Sequence, residues 1–262
     1  MEPARLLICL GRMHGLLIYS FLYAPLALLI AGSLNASRYG NRWEGFTLDW
    51  YRSLVGDTDL LRAAWNSLKV ATLSATLATA LGTVGAIALY RYRFRGRGFL
   101  QGLLFVTLMS PDILMAVSLL VLFLGLGLKP GLLTLWLAHT TFCLPFVTTT
   151  VSSRLQGFDR SLLEAAQDLG ASEWIAIRRI MLPLTLPAIL AGWLLSFTLS
   201  LDDVVVSFFV TGPDFDVLPL RIYSMVRLGV KPEVNALAAL LFGVSLVAVI
   251  VAQSLLRQNN QR

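Results

Sequence analysis

The chain reads as an all-α integral membrane protein with six spans, and three observations predict it. Of its 262 residues, 56% are hydrophobic and only 14% charged, with a mean hydropathy of +0.73, well outside the composition of soluble domains. Six apolar runs approach the about 20 residues needed to cross about 30 Å of hydrocarbon. Arginines gather between these runs so that alternate connections fall on one side of the membrane.

The first run, residues 16–34, is longer than the core of a signal peptide. It is therefore expected as an uncleaved first helix, although LNAS follows it. The second, 68–89, leads into RYRFRGRG, where Arg91, Arg93, Arg95 and Arg97 stand with no acid among them. That segment is expected in the cytoplasm. The third run, 103–128, contains Ser110, Pro111 and Asp112, which fits either one kinked span or two short segments. A second crossing here would separate the arginine segment from the basic tail, Arg257 and Arg262, so one span kinked at Pro111 is expected. The fourth run is 132–152, the fifth 187–210 and the sixth 236–256. With six spans both termini are cytoplasmic, Arg5 and Arg12 lie inside, and the longest inside loop is 153–186. Cys9 and Cys143 are far apart and imply no disulfide framework. A single membrane domain covers residues 1–262.

Loop 153–186 reads as two helices. Ser161 and Glu164 fit a capping box, with Leu162, Leu163, Ala166 and Leu169 at helical spacing. Gly170 suits the left-handed position past a helix end, Ser172 suits the cap of a second helix, and Ile175 and Ile180 give that helix an apolar side. A surface hairpin packed on its own bundle would also read this way. The pattern is more specific than that. Glu164, Ala165, Ala166, then Gly170, then Ile180, Leu182 and Pro183 resemble the EAA motif of permeases from binding-protein-dependent ABC importers. The resemblance implies that this hairpin seats in a cleft of an ATPase subunit, with Glu173 expected at the same interface. The chain contains no Gly-Lys pair and hence no phosphate-cradling P-loop.

The likeness extends along the chain through FLYAPLALLI, ALYRYRFRG, MSPDILMAVSLLVLF, HTTFCLPFV, LEAAQDLGAS, SFTLSLDDVVVSFFVTGP and PEVNALA. These stretches resemble the PotC-type permease subunits of spermidine/putrescine ABC importers. What that resemblance implies is a MetI-like six-helix bundle without catalytic activity. Its expected partners are a second homologous permease, two ATPase subunits, an extracytoplasmic polyamine-binding protein and membrane lipid, with no nucleic acid. No cofactor or metal is expected: His14 and His139 lack partners at metal-ligand spacing, and His139 reads as a packed helix residue.

Asp202 and Asp203 fall inside the fifth run, and Asp112 beside the Pro111 kink. An acid at the bilayer centre costs about 2.5–3.5 kcal/mol on insertion scales, so such residues mark pathways or pairings. On a helical wheel Asp203 shares a small, polar stripe with Gly192, Ser196, Ser200 and Ser207, whereas Asp202 is turned about 100° away. Two readings of the acids stand: counter-charge for a cationic substrate, with Ser200 as a polar contact, or a salt bridge to the partner permease. Tyr19 and Tyr23, one turn apart, fit an aromatic wall for polyamine methylenes or an interfacial anchor. Trp50, in the DWY stretch, is placed with the substrate pathway, and Trp43 fits that role or an interface belt equally. A permease for another solute would keep the hairpin without needing three intramembrane acids. A proton- or sodium-coupled transporter would use the acids and leave the EAA pattern unexplained.

Overall fold

The computed structural model describes residues 3–37, 42–159, 161–227, 232–243 and 246. Among them the chain is helical apart from its connections and one isolated antiparallel bridge, Asn35 to Phe46. It divides into two compact units, Met1–Leu61 with Ile222–Arg262, and Arg62–Arg221.

The first unit holds α1 (Pro3–Ser33), α2 (Asp49–Gly56) and a helix α12 (Pro232–Gly243). Glycine lets α1 pass close to α12, because a β-carbon on Gly32 would stand 2.9 Å from Asn235 Nδ2. The loop after α1 is organised by Asn35, whose Oδ1 accepts the Ser37 and Glu44 N–H groups while Nδ2 donates to the Arg42 carbonyl. These bonds use backbone groups that would otherwise stay unpaired. The expected sixth span, 236–256, lies mostly outside the described residues, as do Arg257 and Arg262.

The second unit holds most of α3 (Thr58–Arg91), then α4 (Arg97–Met109), α5 (Asp112–Gly125), α6 (Leu132–Gln156), α7 (Ser161–Asp168), α8 (Glu173–Ala176), α9 (Leu182–Asp202), α10 (Val205–Val210) and the start of α11 (Leu218–Arg227). Helix α6 is the hub. Its 25 residues span roughly 37 Å at 1.5 Å per residue, and Val147 at its middle is wedged between two glycines. A β-carbon on Gly82 of α3 would lie 2.8 Å from Val147 Cβ, and one on Gly192 of α9 would lie 3.3 Å from Val147 Cγ1. Without a hydrophobic drive between helices in lipid, such close contact supplies the attraction. Gly82→Val is expected to destabilise the fold by about 1–3 kcal/mol through overpacking, measured as a lower melting temperature of the purified protein in detergent.

The third run departs from the expected kink. It is two helices, α4 and α5, meeting at 115°. Ser110 and Pro111 both take extended ψ angles, 134° and 133°, because the ring of Pro111 forces the residue before it out of the helical region. A kink would keep the helix; this sequence breaks it. The pair nonetheless runs from one end of the unit to the other. Arg97 at its start shares a cavity wall with Ser152, Gln156 and Phe158, whereas the loop at its end reaches the opposite end of α6, where Pro130 O closely abuts Gly212.

The fifth run is also divided. Its expected start at 187 disappears, since α8, a π-helical turn over Ile177–Met181 and α9 form one continuous helix from Glu173–Asp202. The wide turn, with Leu182 N–H donating to Ile177 O, precedes Pro183, which cannot donate to the i−4 carbonyl and whose ring crowds it. At the other end α9 stops at Asp202, Asp203 has extended ψ, and α10 begins two residues later. A single helical wheel therefore does not describe residues 187–210.

Candidate functional site

Asp203 lies at the α9–α10 break and is used by the fold around it. Its Oδ2 accepts the Ser207 N–H at 2.7 Å and its Oδ1 the Val206 N–H at 3.2 Å, closing the first turn of α10. The last carbonyl of that helix, Val210, accepts from the Thr134 hydroxyl at 2.8 Å. A six-residue helix inside an apolar span leaves orphan backbone groups at both ends, and in lipid each unpaired group costs several kcal/mol. Asp203 satisfies two of the N–H groups and Thr134 one of the carbonyls.

His139 of α6 completes this network. Its Nδ1 lies 2.7 Å from Ser200 Oγ, and its Nε2 lies 3.1 Å from Ser207 Oγ and 3.5 Å from Asp203 Oδ2. The His139 and Asp203 side chains are only 2% and 7% exposed. His139 is a packed helix residue, as the sequence suggested, but it is also the local partner of the acid. The signal was available: a lone imidazole inside one apolar run, with unpaired acids inside another, names its own partner.

Asp202, one residue away, is exposed and bonds to no other side chain among the described residues. The break separates the two carboxylates. Asp203 turns into the protein, where Ser200 also points, and Asp202 turns out. Asp112 begins α5, is exposed, and is joined to neither of them by a described bond. Gly192, Ser196 and Ser200 form the buried face of α9, as the small polar stripe predicted.

The aromatic candidates belong to the first unit. Tyr19 and Tyr23 stack with ring centroids 6.4 Å apart, and both are exposed. Trp50 is half-buried and donates its indole N–H to the Asn35 carbonyl at 2.8 Å, while Tyr51 pairs with Ser33 at 2.6 Å. The DWY stretch thus closes the loop after α1, and only the ring faces of Trp50 remain for any other contact.

Sequence and structure agree closely at the hairpin turn. Ala171 N–H donates to Ala166 O and Gly170 N–H to Gln167 O, both at 2.9 Å, and Gly170 has φ +85°. This pair of bonds is a Schellman closure, which needs the left-handed conformation that glycine adopts without strain. Ser172 Oγ accepts the Ile175 N–H at 3.4 Å and caps α8. The expected capping box at Ser161 is replaced: Asp159 Oδ1 accepts the Ser161 N–H at 2.9 Å, and the Ser161 side chain, then its backbone N–H, hold the Asp159 carboxyl below its ordinary pKa. One side of the hairpin is seated on the ends of α3 and α6 through Leu163, Ala166, Ala176, Ile180 and Met181. The other side presents Glu164, Ala165, Leu169 and Trp174 to solvent, with Leu169 90% exposed. Leu182 and Pro183 stand where the hairpin becomes α9. Glu173, partly exposed, accepts from Arg91 Nε at 3.1 Å through its Oε1.

Asp203→Ala is expected to remove two hydrogen bonds to a charged acceptor and to cost about 2 kcal/mol, a drop of roughly 4–8 °C in the melting temperature of the detergent-solubilised protein. Asp203→Asn, which keeps one acceptor oxygen, should lose less than half as much.

Residues 71–262 match the family described as binding-protein-dependent transport system inner membrane component. The spermidine/putrescine transport system permease protein PotC of Escherichia coli K12 is 58% identical over 244 residues, covering 93% of this chain and 92% of the relative. Its Haemophilus influenzae counterpart is 55% identical over 93% of this chain and 95% of the relative. The putrescine transport system permease protein PotI of Escherichia coli K12 is 44% identical, covering 94% and 91%. Among solved structures, a chain of a bacterial ABC transporter involved in import of the acidic polysaccharide alginate superposes with TM-score 0.79 at 16% identity, covering 97% of this chain and 98% of that one. A chain of the MetNI methionine ABC transporter superposes with TM-score 0.63 at 20% identity, covering 74% and 92%. At those identities the likeness is one of fold, the MetI-like helical arrangement expected from the sequence. With the family match over most of its length and identity above half along nearly all of it, this chain belongs to the binding-protein-dependent transport system inner membrane component family, as a multi-pass inner-membrane transport subunit and not an enzyme.

Proposed function

We propose that this chain is the permease subunit of an ATP-driven polyamine importer, taking up spermidine or putrescine. The observation that carries the reading is the 58% identity along 93% of the chain to a spermidine/putrescine permease, with the putrescine permease at 44% in support. In this reading the subunit pairs with a second homologous permease, engages two ATPase subunits through the 153–186 hairpin, and receives substrate from an extracytoplasmic polyamine-binding protein. Both termini, the arginine segment and the hairpin lie in the cytoplasm, supported by the acid-free run of Arg91, Arg93, Arg95 and Arg97.

The acids take different roles. Asp202, exposed on this chain, supplies counter-charge along the substrate path, and Asp112 at the α4–α5 break adds a second carboxylate. Asp203 and Ser200 hold the broken helix that presents Asp202. Tyr19, Tyr23 and the Trp50 ring are assigned to apolar contacts with the polyamine chain.

Reconstitution of the complete importer in proteoliposomes tests the substrate. ATP-dependent accumulation of labelled spermidine or putrescine in the presence of the binding protein is expected; uptake of another solute class, with no polyamine uptake, would refute the reading. A reporter fused at Gly96 or Ala171 should indicate the cytoplasm and one at Asp57 or Asp214 the outside. An outside signal at Ala171 would mean that a crossing has been missed.

A further inference from the structure

The arginine segment after α3 does more than set topology. Arg91, the last residue of α3, and Glu173, the first of α8, are 82 positions apart and meet at 3.1 Å. The Glu173 carboxylate also holds the phenol of the neighbouring Tyr92 above its ordinary pKa. Beside this contact, Arg91, Arg93 and Arg97 line a cavity of 270 Å³ together with Glu164 and Gln167 of α7. Of the two acids that flank the hairpin turn, Glu173 is thus paired with the arginine segment of its own chain, while Glu164 only shares the cavity lining with it.

The placement matters more than the strength. An exposed ion pair adds little to stability, and both partners here are partly exposed. What the contact does is join two long helices. Helix α3 is continuous over 34 residues up to Arg91, and the helix starting at Glu173 is continuous through α9 to the break at Asp202. A tie between the end of one and the start of the other makes the second limb of the hairpin follow α3 as well as α9.

We propose that Arg91 is a positioning residue for the coupling hairpin, holding Glu173 so that ATPase-driven displacement of the hairpin is transmitted to α3. Glu173 is then an internal tie rather than an ATPase contact. The inference rests on the reading of this hairpin as the element that engages the ATPase.

The test uses the complete importer purified with its ATPase subunits and reconstituted with the binding protein. Compared are Arg91→Glu, Glu173→Arg and the exchange carrying both, with Glu164→Lys as a docking control. The exchange keeps opposite charges at the two sites. Each single reversal should leave the ATPase co-purifying at normal stoichiometry and basal ATP hydrolysis unchanged. It should lower the stimulation of hydrolysis by loaded binding protein, and substrate uptake, by about tenfold. The exchange should recover at least half of both. Stimulation and rescue are readouts that general loss of folding would not restore.

Loss of the ATPase from Glu173→Arg, unrescued by the exchange, would overturn the proposal by making Glu173 a docking contact, with the hairpin reading intact. Normal stimulation and uptake in both single variants would also overturn it, because the tie would then be idle. A Glu164→Lys complex that docks and transports normally would count instead against the hairpin reading.

Discussion

Replacing Asp202 by asparagine is expected to reduce polyamine uptake about tenfold or more, with the protein still inserted, still assembled with its partners and near its normal melting temperature. Asparagine keeps the shape and removes the charge. One carboxylate and one ammonium about 5 Å apart at an effective dielectric of about 20 attract by about 3 kcal/mol. Even if exposure halves that figure, about 1.4 kcal/mol is tenfold in rate. The membrane potential favours a polycation entering the cell by about 2.3 kcal/mol per charge at 100 mV, so the opposition to be overcome is desolvation inside the path. Asp203 contrasts with this at every point. Its oxygens are already engaged by Val206, Ser207 and His139, so Asp203→Asn should act first on stability. Uptake by purified, reconstituted variants, normalised to assembled complex, separates the two. Normal uptake in Asp202→Asn would remove Asp202 from the path. A stability loss equal to that of Asp203→Ala would place it in the fold instead.

Gly170→Val is expected to abolish ATPase-coupled uptake, with co-purification of the ATPase falling at least about tenfold. Nothing lies within 4 Å of the position a β-carbon would take, so no clash is involved. The cost is conformational. At φ +85° an L-residue is strained by roughly 1–2 kcal/mol, and a β-branched one by more. Relief requires breaking the Ala171–Ala166 and Gly170–Gln167 bonds, which re-aims Leu169 and Trp174, the most exposed large apolar side chains of the hairpin. Glu164→Lys should reach a comparable defect by charge reversal alone, with the turn intact. Pull-down of the ATPase by the tagged permease measures both. A Gly170→Val complex that retains the ATPase and transports normally would show that the turn's shape is not what the partner reads.

By itself the sequence determined the environment, the helical class and the hairpin, because each is encoded locally. Hydropathy over about 20 residues decides whether a segment belongs in lipid, and a glycine followed by a capping serine decides where one helix stops and the next begins. The buried stripe of Gly192, Ser196 and Ser200 was legible for the same reason, as an i, i+4, i+8 pattern on a continuous helix. Only the tertiary structure decided the rest. The Pro111 and Asp203 breaks could not be read from composition, since a proline or an aspartate inside an apolar run is compatible with a kink, and a full break is tolerated only where neighbouring groups satisfy the freed backbone. At Asp203 those groups include its own carboxylate and, from another helix, Thr134, while His139 of that helix holds the carboxylate itself. The pairing of Glu173 with Arg91 depends on two residues 82 positions apart meeting where α3 and α8 come together, a contact between helices that no local pattern in either one specifies.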